Sequence, residues 1–549
     1  MLLDVDDPEC WTLGAALAAA ARRWPARAFL ESAESGETVS FGDAHARAAR
    51  RAAALAAHGV ASASRIGLMA SNSLAALDMW FALNLAGAID VCLNPAHRGA
   101  VLEHLVNLSG IRTLIVEPHL LPVLRASEAA MPALAEILWL APEDAAAVPP
   151  EVAFERIEVK PLASLAPQPG WQPPALAGSD VASVLFTSGT SGPAKGVMVR
   201  HAHAVLSARL CVEGARMTEA DRLYCFHPFF HMAAKHCGVL SSLLAGACCV
   251  VGRMFDAATW IDTVHGKGIT IGLGHGPMLE MIHRQPPRGI DAATRLTRMI
   301  AAPLPAHIAR DFERRFRLRG IEIWGMTEIG LPCWRPWDEP LVPGSAGQVS
   351  RDWYEVRVCD PVAGHELPAG AVGELRVRPR FASCVMAGYL GDAPATAAAW
   401  DGEWFRTGDA GRMDARGRVD VLDRMTDRIR RRGENISPCD IESAAAHYEG
   451  VTECVAVGVP SGFAADDDIK LCVVTASGQI DQAAMLGFLA ARLPHFMVPR
   501  YIELLPALPR TPTNKVRRSE LRKSGVSAAT WDRKAAGIDL RQLARALAS

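Results

Sequence analysis

The chain has 549 residues, half of them apolar and 21% charged, which is enough apolar material for several buried cores and argues against intrinsic disorder. With a formal net charge of −2 and both signs interspersed, nothing in the electrostatics calls for a nucleic acid or an anionic membrane as partner, and small molecules are the expected ligands. The opening residues Met1-Leu2-Leu3-Asp4-Val5-Asp6-Asp7 are acidic where a secretory signal is basic, and no apolar run approaches the roughly 20 residues of a bilayer span, so a cytoplasmic protein without a membrane span is expected.

Thirteen cysteines, odd in number and irregular in spacing, read as small buried hydrophobes and not as a disulfide framework. Arginine outnumbers lysine 49 to 8, so each retained lysine carries information.

Residues 14–57 are alanine-rich with helical spacing. The stretch from Arg65 to Asn94 alternates a short apolar strand, Ile66 to Ala70, with a helix around Leu77 to Leu83. Residues 111–116, 136–140, 181–186, 247–252 and 269–273 read as further buried strands between helices, the pattern of a layered α/β fold with largely parallel sheets. A Pro/Ala-rich span at 142–174 suggests an exposed connection. Beyond Arg406 the texture turns polar and Gly-rich, which places a domain boundary near 424–427. A small α/β unit follows to about 523: a helix from Cys439, strands at 453–459 and 471–475, and a helix from Asp481. Residues 524–549 are an Ala/Arg tail with the composition of a terminal helix. The division is therefore 1–424, 425–523 and 524–549.

Five segments carry chemistry. The first, after the strand ending at Phe186, is Thr187-Ser188-Gly189-Thr190-Ser191-Gly192-Pro193-Ala194-Lys195-Gly196, whose hydroxyls, glycine amides and lysine can all face phosphate oxygens. It is not a Walker loop, because no Gly-Lys-Ser/Thr closes it onto a helix. The second, Trp324-Gly325-Met326-Thr327-Glu328, offers an indole on which a base can stack, a hydroxyl, and a carboxylate of the kind Mg²⁺ takes. In the third, Asp409 can accept two ribose hydroxyls and Arg424, fifteen residues on, can hold the same sugar or its phosphate. The fourth contains Gly433-Glu434, where the absent side chain admits a thin ligand. In the fifth, Lys515 is a compact, movable charge among arginines.

The first segment resembles the phosphate-binding signature of the adenylate-forming superfamily, which contains acyl-CoA synthetases, and the other four stand in that family's order over residues 14–523. Ala194 replaces the family's usual proline, Trp324 its usual tyrosine, and Thr426 its hinge Asp or Lys; the form of residues 423–437 is most similar to bacterial crotonobetaine/carnitine-CoA ligases. The resemblance implies a large N-terminal domain of packed α/β sheets and a small mobile C-terminal α+β domain. It also implies a reaction in two halves: a carboxylate and Mg·ATP give an acyl-adenylate and pyrophosphate, and coenzyme A then takes the acyl group.

By the same resemblance ATP or AMP is bound by residues 187–192, Lys195, Ala302, Pro303, Trp324, Gly325, Met326, Thr327, Asp409, Arg424 and Lys515. Lys515, Thr327 and Glu328 are catalytic, with Glu328 on Mg²⁺. Gly433 and Glu434 serve coenzyme A, Met425 and Thr426 form the hinge, and His231, Met232, Gly272, Gly274 and Ala301 border the acyl group.

Residues 226–232 lack the aspartate with which amino-acid-activating relatives hold an α-ammonium, so a carboxylic acid without an α-amino group is expected. His227, His231 and His236 have a metal-compatible spacing, but no carboxylate or cysteine completes a set. Two alternatives stay open at this point: transfer to the phosphopantetheine of a carrier protein, and a non-catalytic adenylate-binding protein.

Overall fold

The structure, a computed structural model, describes residues 7–140, 152–187, 194–425, 429–431, 434–436, 438–461, 467–494, 497–511 and 515–539. These form two compact units: one takes in the residues up to 356 together with 377–405, the other 357–376 and those from 406 onward.

The larger unit is built on two sheets. In the first, strands Ala28–Ser32, Cys248–Val251, Arg222–Cys225, Ile271–Gly274, Arg298–Ala301 and Arg319–Met326 run parallel in that spatial order. Thr38–Ser40 extends one edge antiparallel, and Gly330–Trp334 and Gly347–Val349 extend the other. In the second, the parallel strands Val181–Thr187, Ile89–Leu93, Arg65–Met69, Thr113–Val116, Glu136–Trp139 and Glu158–Pro161 are continued antiparallel by Lys195–Arg200 and Gly388–Tyr389.

Strands buried on both faces need continuous apolar runs, which is why the sequence marks most of them. Helix Leu74–Leu85 shows the same logic, since all but Asp78 and Asn84 of its residues are apolar and eleven of the twelve are buried. Helix Phe41–Ala57 instead starts on a Ser40 cap that accepts the Asp43 N–H. One core gathers Trp260, Leu279, Met299 and Phe312 against the first sheet, and another gathers Val91, Leu105, Leu114 and Ile137 against the second.

The smaller unit contains the sheet Val451–Pro460, Asp467–Thr475, Tyr501–Leu504 and Trp531–Asp532, with helices Pro438–Ala445 and Gln482–Ala490 sharing its core. Ten of the thirteen cysteines are buried. Among the described residues no helix is long and apolar enough to cross a membrane.

The secondary structure departs from the sequence reading in three places. The alanine-rich stretch 14–57 is two helices separated by the hairpin of Ala28–Ser32 and Thr38–Ser40. The span 142–174 contains the edge strand Glu158–Pro161, too polar and too short to announce itself. The tail is not a helix over 525–539: Trp531 and Asp532 pair with Ile502 and Tyr501, and buried Lys470 donates to the Gly525 carbonyl at 2.6 Å. These partners lie about thirty residues or more upstream, beyond the reach of local propensity.

Four buried histidines give the larger unit a pH-dependent stability. Burial pulls His201 down to about 4 and, with the Arg200 charge adding to it, His203 to about 3; burial also holds His227 and His236 well below the ordinary value. All four are neutral in the fold at pH 7, whereas an unfolded histidine gains its proton near 6.5. Their stabilising effect is thus fully present above about pH 6.5 and is lost as the pH falls below it. Replacing His203 with Phe should make the loss of unfolding free energy between pH 6 and pH 5 smaller by about 1 kcal/mol, read by urea denaturation at each pH. An unaltered pH slope would mean that His203 is protonated in the fold.

Candidate active site

Strand Arg319–Met326 turns back as Gly330–Trp334 with Met326 opposite Gly330, so Thr327, Glu328 and Ile329 form the turn of a tight hairpin. Two glycines make that turn possible. A Cβ on Gly325 would stand 1.9 Å from the Gly330 carbonyl oxygen, and Gly330 itself sits at φ +72°. Ile329 is buried and its N–H donates to the Met326 carbonyl at 3.2 Å, which fixes the turn from below.

The Glu328 carbonyl accepts the Met386 N–H at 2.9 Å, and its carboxylate oxygen Oε1 accepts the Tyr389 hydroxyl at 3.0 Å. Trp324 is 8% exposed.

Tyr389 belongs to the other sheet. Its short strand pairs with Lys195–Arg200, and the Lys195 ammonium lies 4.7 Å from the centre of its ring, within cation–π range. Lys195 stands opposite Thr187 at the mouth of the Ser/Gly loop. Ser188, Gly189, Thr190, Ser191 and Gly192 lie outside the described residues. The structure thus gathers Lys195 and Glu328, far apart in sequence, around one tyrosine that carries no motif.

On the expected acid side, segment 226–232 is tied down by Asn72. Its side-chain amide donates to the His227 and Gly252 carbonyls at 2.8 and 3.1 Å, and its oxygen accepts the Phe229 N–H at 3.0 Å. His231 accepts the Ala233 N–H on Nδ1 at 3.1 Å, opening the π-wound helix Ala233–Leu240, and Met232 is buried. Among the described residues no three His, Cys, Asp or Glu side chains converge as a metal site.

Gly272 and Gly274 differ from expectation in where their open side faces. A Cβ at Gly272 would meet Met299 at 2.6 Å and one at Gly274 would meet Leu279 at 2.7 Å, so core side chains take up the room the glycines leave. Ala301 is buried in that same core. The sheet's two-residue period decides this: residues 272 and 274 share a face with partners 299 and 301 across the ladder. Ala302 and Pro303, past the strand end, are exposed.

In the smaller unit Asp409 faces Arg424 across an antiparallel pair, with Nε 2.9 Å from Oδ1. The same guanidinium donates to the Thr407 carbonyl at 3.0 Å, and the Asp409 N–H donates to the Thr407 hydroxyl oxygen at 3.0 Å. Asp409 is buried and Arg424 exposed, which leaves a held carboxylate with a cation at its rim. The Met425 N–H donates to the Gly408 carbonyl at 2.7 Å. Thr511 and Lys515 are joined by reciprocal bonds, Thr511 N–H to the Lys515 carbonyl at 2.7 Å and Lys515 N–H to the Thr511 hydroxyl at 3.0 Å. Thr426 and Gly433 lie outside the described residues, and of Glu434 only the backbone is described, paired with Arg431.

Residues 17–390 match the AMP-binding enzyme family, and residues 440–515 match the AMP-binding enzyme C-terminal domain. The chain is 30% identical to feruloyl-CoA synthase of Amycolatopsis sp over 494 residues, covering 89% of this chain and 94% of that one. To sulfoacetate–CoA ligase of Cupriavidus necator it is 29% identical over 529 residues, 94% and 98% of the two chains. Among solved structures, ATP-bound MatB from Rhodopseudomonas palustris superposes with a TM-score of 0.81 at 26% identity, covering 93% of this chain and 98% of that one.

The Tyr389–Glu328 bond has a measurable consequence. A hydrogen bond to a charged group contributes about 1.5–3 kcal/mol, so Tyr389→Phe should lower acid-dependent pyrophosphate release by roughly 10- to 100-fold if that bond holds the carboxylate in its working position. Glu328→Ala should fall at least as far. Wild-type rates in both folded variants would remove the pair from the chemistry.

Proposed function

Because the chain belongs to the AMP-binding enzyme family, we propose roles for its residues in the reaction of an ATP-dependent acid:CoA ligase, the activity that its family and relatives establish. The enzyme is AMP-forming: a carboxylate and ATP give an acyl-adenylate and pyrophosphate, and coenzyme A then yields acyl-CoA and AMP. The observation that best supports the assignment of roles is the cluster of Lys195, Tyr389 and Glu328, which joins the phosphate-loop hairpin to the hairpin of Thr327.

In the first half-reaction the carboxylate oxygen attacks the α-phosphorus and pyrophosphate leaves. Lys195, Thr327 and the loop 187–192 receive the phosphate oxygens, Trp324 stacks on the adenine beside Ala302 and Pro303, and Lys515 offsets the charge that builds between carboxylate and phosphate. Asp409 accepts the ribose hydroxyl protons while Arg424 holds that carboxylate in place. Glu328, a buried carboxylate oriented by a phenol, fits a hard divalent cation, and Mg²⁺ bound there would neutralise phosphate charge.

The acid is one without an α-ammonium, bordered by His231 and Met232. For the second half-reaction the boundary is placed at 424–425, with residues 425–523 swinging about Met425 and Thr426. That motion withdraws Lys515 and brings up Gly433 and Glu434 for the pantetheine thiol. Its need for ATP and coenzyme A supports a cytoplasmic location.

Lys515 and Gly433 belong to different halves on this reading. Lys515→Ala should slow adenylation by roughly 100-fold or more, the loss typical of deleting one preorganised charge contact, while leaving the conversion of prepared acyl-adenylate and coenzyme A to thioester near the wild-type rate. Gly433→Trp should do the reverse, releasing pyrophosphate normally and failing at the thioester. Equal slowing of both halves by Lys515→Ala in a folded enzyme would refute alternation.

The acceptor is tested directly by comparing turnover with free coenzyme A and with a phosphopantetheinylated carrier protein. Coenzyme A should support saturable turnover; turnover with the carrier protein alone would reassign the acceptor.

A further inference from the structure

Lys235 is one of only eight lysines in the chain and is buried to 1% exposure. It sits on the π-wound helix Ala233–Leu240, which follows a strand of the first sheet, and its ammonium forms an ion pair with Asp90 on strand Ile89–Leu93 of the second sheet. The ammonium also lies 2.8 Å from the Cys92 sulfur and 5.2 Å from the centre of the Trp80 ring, and Ser183 Oγ is 3.5 Å from the same Asp90 oxygen.

This cluster is linked to the acid side through the backbone. The Lys235 N–H donates to the His231 carbonyl at 3.3 Å, so whatever fixes Lys235 fixes the first turn of the helix that presents His231 and Met232. The helix has little freedom elsewhere, because a Cβ on Gly238 would stand 2.6 Å from the Cys225 sulfur.

A fully buried ion pair is a poor device for stability alone, since apolar side chains of equal volume serve as well or better once two desolvated charges are removed. It is a good device for position. Opposite charges in a dry site hold one rotamer and one helix register, whereas an apolar contact tolerates sliding. The π turn adds to this, because i→i+5 winding shifts the side chains that follow it and is frequent at functional sites. The choice of lysine in an arginine-rich chain fits as well: Asp90, Cys92 and an indole face can satisfy a compact ammonium, not the five donors of a guanidinium. Burial pulls the Lys235 pKa down, but the adjoining carboxylate outweighs it and keeps the ammonium charged.

We propose that the Lys235–Asp90 pair is a positioning and specificity device for the carboxylic acid: by locking the π-wound turn against the second sheet it sets where His231 and Met232 stand, and hence which acid the enzyme accepts. The inference rests on the reading of His231 and Met232 as acid-side residues. ATP is assigned to other residues, so the effect is expected on the acid.

The test uses the full-length double variant Lys235→Met with Asp90→Leu, which removes both charges at similar volume and avoids stranding one of them. It should unfold close to the wild-type temperature, yet its KM for the preferred acid should rise about tenfold while KM for ATP changes less than twofold. The preference for that acid over one a methylene longer, as a ratio of kcat/KM, should shrink. Asp90→Asn, assayed well below its unfolding temperature, should move the acid KM in the same direction and supplies the measurement if the double variant does not fold. A folded double variant with unchanged acid KM and selectivity, or with both substrate KM values raised alike, overturns the proposal. Wild-type enzyme that releases no pyrophosphate with any acid of a broad panel would instead overturn the acid-site reading, and the proposal with it.

Discussion

The bond from the Tyr389 hydroxyl to the Glu328 carboxylate joins the two sheets of the larger unit, and the hairpin of Thr327 is held against the second sheet by it. Glu328 is carried by a hairpin of the first sheet, Tyr389 by a short strand added to the second, and Lys195 lies over the tyrosine ring from the neighbouring strand. Apolar packing between two sheets is strong but unspecific in register. Directional polar contacts at the seam supply what packing leaves open, since a hydrogen bond fails within a few tenths of an ångström and a few tens of degrees.

The same device recurs along that seam. Asn72, just past strand Arg65–Met69 of the second sheet, bonds the loop that follows strand Arg222–Cys225 of the first, and the Lys235–Asp90 pair ties the helix after that loop to strand Ile89–Leu93. The segments so held follow the carboxyl ends of parallel strands, where open α/β sheets leave their ligand crevice. Thr327 comes after the strand ending at Met326, Ala302 after the one ending at Ala301, and residues 226–232 after the one ending at Cys225. The placement of these segments is therefore a product of topology, and the polar ties hold two of them in register.

What the sequence made legible follows from the range of the interactions involved. Strands such as Val181–Thr187 and Cys248–Val251 are apolar because both faces are covered, and that is written locally. The Trp324–Glu328 turn is also local, because its two steric constraints fall on Gly325 and Gly330. Tyr389, Asn72 and Asp90 could not be singled out, since each acts on a residue that is 61 or more positions away and none sits in a distinctive pattern. The orientation of Gly272 and Gly274 was equally hidden. A glycine announces missing volume, but whether a ligand or a core methionine fills it depends on which face of the strand it occupies.

The lysines show how the chain divides labour between its two cationic side chains. Arginines dominate where several acceptors must be met at once, as Arg500 meets Asp468 at 2.7 Å and Asp532 at 2.9 Å on the small sheet. Lysine is kept where a single compact charge must enter a closed space or approach one target. Lys235 and Lys470 are both fully buried, each against one carboxylate, Asp90 and Glu503. Lys195 and Lys515 are exposed, one over an aromatic ring and the other bonded through its N–H to the Thr511 hydroxyl. An arginine at either position would bring five donors that water or the wrong acceptor could engage, whereas an ammonium on a flexible stem presents one compact charge. In a chain that otherwise writes its positive charge as arginine, these lysines mark the places where the size and mobility of the cation matter.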